Sequence, residues 1–452
     1  MATRTASTDV IVVGAGFAGV TAARDLTRRG VSVVVLEARD RVGGRVWTQQ
    51  KDGYWLDVGG QWTGPGQDRV RALGDEVGVE SFPTWPEGEH LQYTEGLGLR
   101  RYSGEFSTDD PETMGKVVQA IIAFDQLAQT VPLDTPWNAP DARALDGMSV
   151  QTWIDQNLDT PRARDGFQTA IEAVFAAEPH DVSLLHALFY AKSGQGFFYL
   201  VSTEGGAQAD RFNGGAQTVV QKAAATLDEV WLSCPVRSIR QDNGSITALG
   251  DDFSVTGKVC VVTAPPALAG RIDYDPIMPP LRDQLTTRAP MGSVIKVHAV
   301  YDTPWWRDEG LSGRVVSDTG PIKVIFDNSP PEGKPGLLMG FIEGGDGRRL
   351  SGFEPAERRK LALECFVRYF GERAANPIDF IEGNWPAEQW SRGCYGAVLP
   401  AGTLVSCGTA LREPVGRIHW AGTETAEINC GYMDGAVRSG ERVANEVLEV
   451  LG

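Results

Sequence analysis

The stretch DVIVVGAGFAGVTAARDLTRRGVSVVVLEARD, beginning at Asp9, constrains this chain more than any other. Val10–Val13 is a short apolar run of the buried-strand type, and Gly14, Gly16 and Gly19 then fill a GxGxxG frame ahead of a helical stretch, Val20–Arg29. Each glycine has its own task. Gly14 permits a tight turn, Gly16 lets the backbone approach a pyrophosphate, and Gly19 lets helix and strand pack closely. The helix start adds free N–H groups and a positive dipole end, so an anionic diphosphate is favoured there. A second strand, Val31–Leu36, ends in Glu37, a carboxylate placed to accept from a ribose hydroxyl pair, and that choice favours an unphosphorylated ribose. Arg39, Arg41, Gly43, Gly44 and Arg45 continue into a second glycine turn with guanidiniums near the same phosphates. The residues alone leave FAD and NAD both open.

A chain of 452 residues has material for two domains or one large one. Hydrophobic content of 42% with 22% charged residues is ordinary for a globular protein. The net charge of -17 argues against nucleic acid and is compatible with cationic small molecules. The cysteines Cys234, Cys260, Cys365, Cys394, Cys407 and Cys430 form no CxxC pair and no zinc spacing, so no metal is expected and a reducing, cytoplasmic compartment fits. No apolar run approaches the ~20 residues of a membrane helix, and MATRTASTD lacks the apolar core of a signal peptide.

The segment EARDRVGGR, coming directly after a GxGxxG unit, resembles the flavin-containing amine oxidases, the group of monoamine oxidases and bacterial putrescine oxidases. The resemblance runs from about Val10 to Val447 with the motifs in family order, and it selects FAD. It implies an α/β fold: a Rossmann-like FAD-binding domain assembled from 1–80, 211–285 and 388–452, and an α+β substrate domain of mixed sheet and helices from 81–210 and 286–387. Around the cofactor it places Gly14, Gly16, Ala18, Gly19, Glu37, Arg39, Gly44 and Arg45, then Gly60 and Gln61 of LDVGGQWTGP, Val236 on the adenine side, and Trp385, Gly422, Thr423, Glu424 and Met433. Glu424 is expected to accept from hydroxyl groups without needing a counter-ion. The helical stretch Tyr432–Leu451 would start beside the flavin, where its dipole stabilises a reduced, anionic ring. Mammalian relatives carry a C-terminal membrane anchor, which is not expected in a chain that stops at Gly452. A homodimer is compatible with the family.

Oxidising an amine needs a neutral amine held in a dry slot before the flavin, and aromatic rings line such a slot while attracting the ammonium that arrives there. Tyr395 of SRGCYG and Tyr432 of NCGYMDGA match the family's two cage tyrosines. Lys296 stands inside the apolar strand MGSVIKVHAV, where a charge is otherwise hard to place, and it matches the lysine that serves reoxidation by O2. Cys394, just before Tyr395, matches the cysteine that forms a thioether to the flavin in membrane-anchored relatives, and a covalent link is expected. Gln208 matches a substrate-positioning glutamine, and Val174, Val201 and Val324 are expected to line the substrate channel, with Phe197–Leu200 nearby. The expected reaction is oxidative deamination of a primary amine by O2 to aldehyde, ammonia and hydrogen peroxide, with apolar walls favouring an alkyl or arylalkyl monoamine. A diamine oxidase would need a second carboxylate deep in the cavity. A desaturase-like flavoprotein would not need paired tyrosines, and a flavin protein without catalysis would release no peroxide.

Overall fold

The computed structural model describes residues 4–51, 53–107, 110–242 and 244–452. Its first organising layer is a five-stranded parallel sheet in the order Val230–Trp231, Val33–Leu36, Val10–Val13, Val259–Val262, Ile418–Trp420. Val10–Val13 sits at the centre with every residue buried, as an unbroken apolar strand covered on both faces should. One face is covered by the helix Phe17–Arg28 and the C-terminal helix Met433–Leu451. The other meets a second five-stranded sheet that includes Ile246–Leu249 and Phe253–Gly257.

The glycine turn is built as the motif requires at two positions. Gly14 has φ +105°, and a Cβ on Gly19 would lie 1.9 Å from the Gly14 carbonyl oxygen, so helix and strand meet with no room for a side chain. The helix starts at Phe17, three residues before its expected start, because Gly16 itself is the N-cap, and no side chain caps it.

A seven-stranded mixed sheet forms the second body, in the order Asp379–Asn384, Val294–Tyr301, Gly336–Glu343, Ile322–Asp327, Leu311–Ser317, Glu89–Thr94, Gly98–Tyr102. Only Leu311–Ser317 with Glu89–Thr94 pairs in parallel among these strands. Val294–Tyr301 is buried throughout, and its period-2 alternation divides it. Ile295, Val297, Ala299 and Tyr301 pack toward the helix Pro355–Phe370, while Val294, Lys296 and His298 face the other way. Lys296 pairs with Phe341 and Val294 with Glu343, so these side chains share a face. Opposite that face stands a helical layer that includes Pro111–Ala128, Pro161–Phe175, Leu184–Ser193 and Phe197–Val201.

Two helices of that layer, Pro161–Phe175 and Leu184–Ser193, follow one another in the chain with a break between them. The first stops at Ala176, which adopts φ 50°, and Ser183 caps the second by accepting from the His186 N–H. Asp181 takes no part in that cap and instead pairs with Arg348. No helix among the described residues is long and apolar enough to cross a membrane.

Candidate active site

Two cavities meet at a shared wall. The first, of about 400 Å³, lies across the C-terminal ends of the parallel strands, where Gly14, Glu37, Thr263 and Gly422 line it. This is where an open α/β sheet presents its loops to a ligand. The second, of about 340 Å³, lies between the mixed sheet and the helical layer. Gly60, Cys394, Tyr395, Gly431, Tyr432 and Met433 line both.

The first cavity brings together Gly14, Gly16, Ala18, Glu37, Arg39, Gly44, Arg45, Gly60, Val236, Cys394, Thr423 and Met433. Gly19 does not line it and serves packing beneath the turn. Glu37 is buried and already accepts from two backbone N–H groups, Ala15 at 2.8 Å and Arg39 at 2.9 Å, which fixes its carboxylate at the cavity edge. The guanidiniums are committed to protein partners. Arg39 donates to Glu388 and Ser391, leaving its Nε buried without a partner. Arg41 turns away onto the carbonyls of Gly44 and Val46 and the ring of Trp47, outside the cavity lining.

Arg45 makes a bidentate pair with Glu424, at 2.5 and 3.0 Å, and donates to the Tyr395 carbonyl at 2.9 Å. The expectation of a Glu424 without a counter-ion is corrected here. Buried this deeply, the carboxylate is held in its charged form by Arg45 and by the Ala397 N–H, and its pKa falls despite burial. Its place is behind the wall, where it fixes Arg45 and thereby the backbone of the Tyr395 segment.

The second cavity has an apolar throat. Val174, Val201 and Val324 line it with Leu200, Phe326 and Phe341, and Gln208 is held there by its bond to the Leu200 carbonyl at 3.1 Å. Asp165 and Asp318 line it at solvent-exposed positions, which marks its mouth. Trp385 lines this cavity too, anchored through Nε1 to the Val58 carbonyl at 2.8 Å.

At the inner end stand Tyr395, Tyr432 and Lys296. Tyr395 meets Phe341 edge-on with centroids 6.0 Å apart, and Tyr432 packs against Tyr190 at 5.9 Å. Tyr432 is also the N-cap of the C-terminal helix, so that helix begins at the shared wall, with no side chain capping its first turn.

Lys296 is 3% exposed and donates to the Gly59 carbonyl at 2.9 Å and to Gln61 Oε1. Burial pushes its ammonium down to about 7, against the pull of Asp57, whose own carboxyl is driven up by burial. The orientation of the Gln61 amide is dictated from behind. Arg211 donates to Asn328 Oδ1 at 2.7 Å, that oxygen also accepts from Gln61 Nε2 at 2.8 Å, and Gln61 Oε1 is thereby turned to Lys296. Arg211 and Asn328 escaped the sequence reading because nothing local marks them. Glu343, which bonds to the Tyr395 hydroxyl, could have been found by the same signal as Lys296, a charge at the end of the apolar run LLMGFIE.

The model of the flavin containing amine oxidoreductases matches residues 17–448. The chain belongs to that family. A Dictyostelium discoideum protein named "Probable flavin-containing monoamine oxidase A" is 40% identical over 98% of this chain and 98% of its own. A triple variant of putrescine oxidase, from a redesign of cofactor binding, superposes with a TM-score of 0.95 at 36% identity, covering 99% of this chain and 100% of its own. Cyclohexylamine oxidase from Brevibacterium oxydans IH-35A does so with 0.94 at 33%, covering 98% and 99%. As a flavin-containing amine oxidase the protein is an enzyme that oxidises amines with a flavin, and the α/β fold expected from its sequence is the fold it has.

The residues present fit that cofactor. The uncapped helix start, the side-chain-free turn at Gly14 and Gly16, the orphaned Arg39 Nε and the fixed Glu37 carboxylate together make a cradle for an anionic dinucleotide. The cavity then continues to the wall it shares with the throat.

Proposed function

We propose that the enzyme deaminates an alkyl or arylalkyl primary monoamine, with O2 as oxidant and hydrogen peroxide as a product. The observation that carries this reading is the meeting of an apolar throat with the cofactor cradle at Tyr395 and Tyr432. In this reading Glu37, Gly16, Gly44 and Val236 hold the adenosine and diphosphate end of FAD, and residues 1–80, 211–285 and 388–452 form its domain, with 81–210 and 286–387 forming the substrate domain. The chemistry a bound flavin supplies is acceptance of a hydride equivalent from the carbon beside nitrogen and delivery of the electron pair to O2.

The chain's own residues prepare the amine for that chemistry. Tyr395 and Tyr432 present ring faces that attract the arriving ammonium and leave room for the neutral amine it becomes. Val174, Val201, Val324 and Phe326 exclude water around the hydrocarbon part. Gln208, tethered to the Leu200 carbonyl, orients the substrate from the wall. Lys296, able to gain or lose a proton near neutrality, serves the oxygen half-reaction, with Gln61 holding it in place.

Cys394 is proposed to carry the flavin through a thioether. Its position on both cavities supports this, although burial pushes the thiol up to about 12, so that Arg45 and Arg39 must favour the thiolate. Mass measurement of the denatured polypeptide decides it: the FAD increment should be present in the parent and absent in Cys394→Ala.

The substrate reading is tested with a peroxide assay across monoamines, diamines and amino acids. Highest kcat/KM with hexylamine- or phenethylamine-type substrates is expected. A preference for putrescine-length diamines would overturn the monoamine assignment, and turnover without peroxide would overturn O2 as oxidant.

A further inference from the structure

Behind the cage lies a third, polar cavity of about 190 Å³ that the proposed reaction does not use. Glu343 projects into it from the end of the strand Gly336–Glu343, two residues beyond Phe341 and on the same face, and its Oε1 lies 2.5 Å from the Tyr395 hydroxyl. The rest of the polar lining faces Glu343 from every element around it: Glu172 from the helix Pro161–Phe175, Glu178 from the loop beyond, Lys323 from the strand Ile322–Asp327, and Asp346 from the helix Gly344–Ser351. The charges do not balance at Glu343. Lys323 is already paired with Glu172 at 2.6 Å, and Glu178 with Arg348, so Glu343 has the phenol of Tyr395 as its hydrogen-bond partner and no cation of its own among the described residues.

We propose that Glu343 is a positioning residue that sets the polarity of the amine cage through Tyr395, holding a substrate cation more tightly when Glu343 is ionised than when it is neutral. This rests on Tyr395 and Tyr432 being the cage.

The physical chain is short. An ionised Glu343 can only accept, so the phenol donates, its oxygen becomes electron-rich, and the ring face toward the throat attracts a cation more strongly. A neutral Glu343 can donate its own proton to the phenol oxygen, which draws electron density the other way. The hydrogen bond therefore reverses direction with the charge of the acid. The cation missing beside Glu343 is the one a bound substrate ammonium brings to the far side of the Tyr395 ring. Burial, reinforced by Glu172 and opposed by the Tyr395 hydroxyl and Lys323, raises the carboxyl to about 8, so the reversal falls in the range where the enzyme meets protonated amines. Neutralisation is the useful half of the cycle: a cage that relaxes its hold on the ammonium favours the neutral amine that the reaction consumes.

The test uses the oxidised, flavin-loaded enzyme without turnover. Choline, a quaternary ammonium whose charge is fixed, and its neutral carbon isostere 3,3-dimethylbutan-1-ol are titrated at pH 6.5 and 9.5, with flavin absorbance as the signal. Lys296 faces the throat and loses its charge across the same range, so the parent is compared with Glu343→Gln, which keeps Lys296 and a hydrogen-bond partner for Tyr395. The preference for choline over the isostere should rise with pH at least about threefold more in the parent than in Glu343→Gln. Tyr395→Phe keeps the ring and cuts the link, and should flatten the response as Glu343→Gln does, which keeps the question answerable if the latter fails to load flavin. Equal pH responses in parent and variants would overturn the role of Glu343 while leaving the cage standing. No choline binding by the parent at either pH would bring down the cage, and the role of Glu343 with it.

Discussion

Lys296→Met should make the enzyme's stability less dependent on pH, and the size of the effect follows from where the lysine sits. Its amine is buried, and its pKa falls from the usual 10.5 to about 7. At about 1.4 kcal/mol for each pH unit, carrying that proton in the folded state costs about 5 kcal/mol. Below pH 7 the lysine is charged in folded and unfolded chains alike, and the cost is present in full. Between pH 7 and 10.5 the unfolded chain keeps a proton that the folded chain has released, so stability climbs with pH; above 10.5 the cost is gone. Methionine does not titrate. The parent should therefore gain about 3 kcal/mol on the variant between pH 7 and 9.5. Against this, methionine leaves the Gly59 carbonyl and Gln61 Oε1 without their donor, at about 1–3 kcal/mol each. The two effects nearly cancel at pH 6.5, where the variant should match the parent, and the variant should be clearly weaker at pH 9.5. Urea unfolding of both proteins at pH 6.5, 8 and 9.5 reads the difference, and a parent-to-variant gap that stays constant with pH would refute a buried, depressed lysine. Stopped-flow mixing of the reduced variant with O2 should separately show slower reoxidation than in the parent.

Glu37→Ala removes the acceptor shared by the Ala15 and Arg39 N–H groups and should weaken FAD retention by one to two decades, read by flavin content after dialysis; unchanged content would refute its role. Tyr395→Leu or Tyr432→Leu should lower kcat/KM about tenfold or more through loss of both ring attraction and slot shape, and parental steady-state kinetics would remove that residue from the cage. Gly19→Ala forces a Cβ to 1.9 Å from the Gly14 oxygen and should destabilise the apoprotein by about 1–3 kcal/mol, visible as a lower midpoint in urea.

What could be read before the structure was whatever is local. The glycine spacing, the apolar strands and the charge of Lys296 inside one of them are signals within a dozen residues, and they located the cradle and the inner end of the throat. The partners of those residues were invisible because they are distant in sequence. Arg45 meets Glu424, and Gln61 is oriented by Asn328 and Arg211, which come from three separate segments. The same blindness produced the error at Glu424, since a carboxylate's counter-ion cannot be inferred from its neighbours in the chain.

The parallel sheet has a consequence for how the protein is made. Val259–Val262 pairs on one side with Val10–Val13 and on the other with Ile418–Trp420. During synthesis about 160 residues separate the third of these strands from the second, which at ~5–20 residues per second leaves an apolar strand edge open for roughly 10–30 s. Such an edge is a template for pairing with another chain. Slow translation or a missing chaperone should therefore send this protein into aggregates before any flavin can reach it, and yields on heterologous expression should respond to holdase supply more than to added riboflavin.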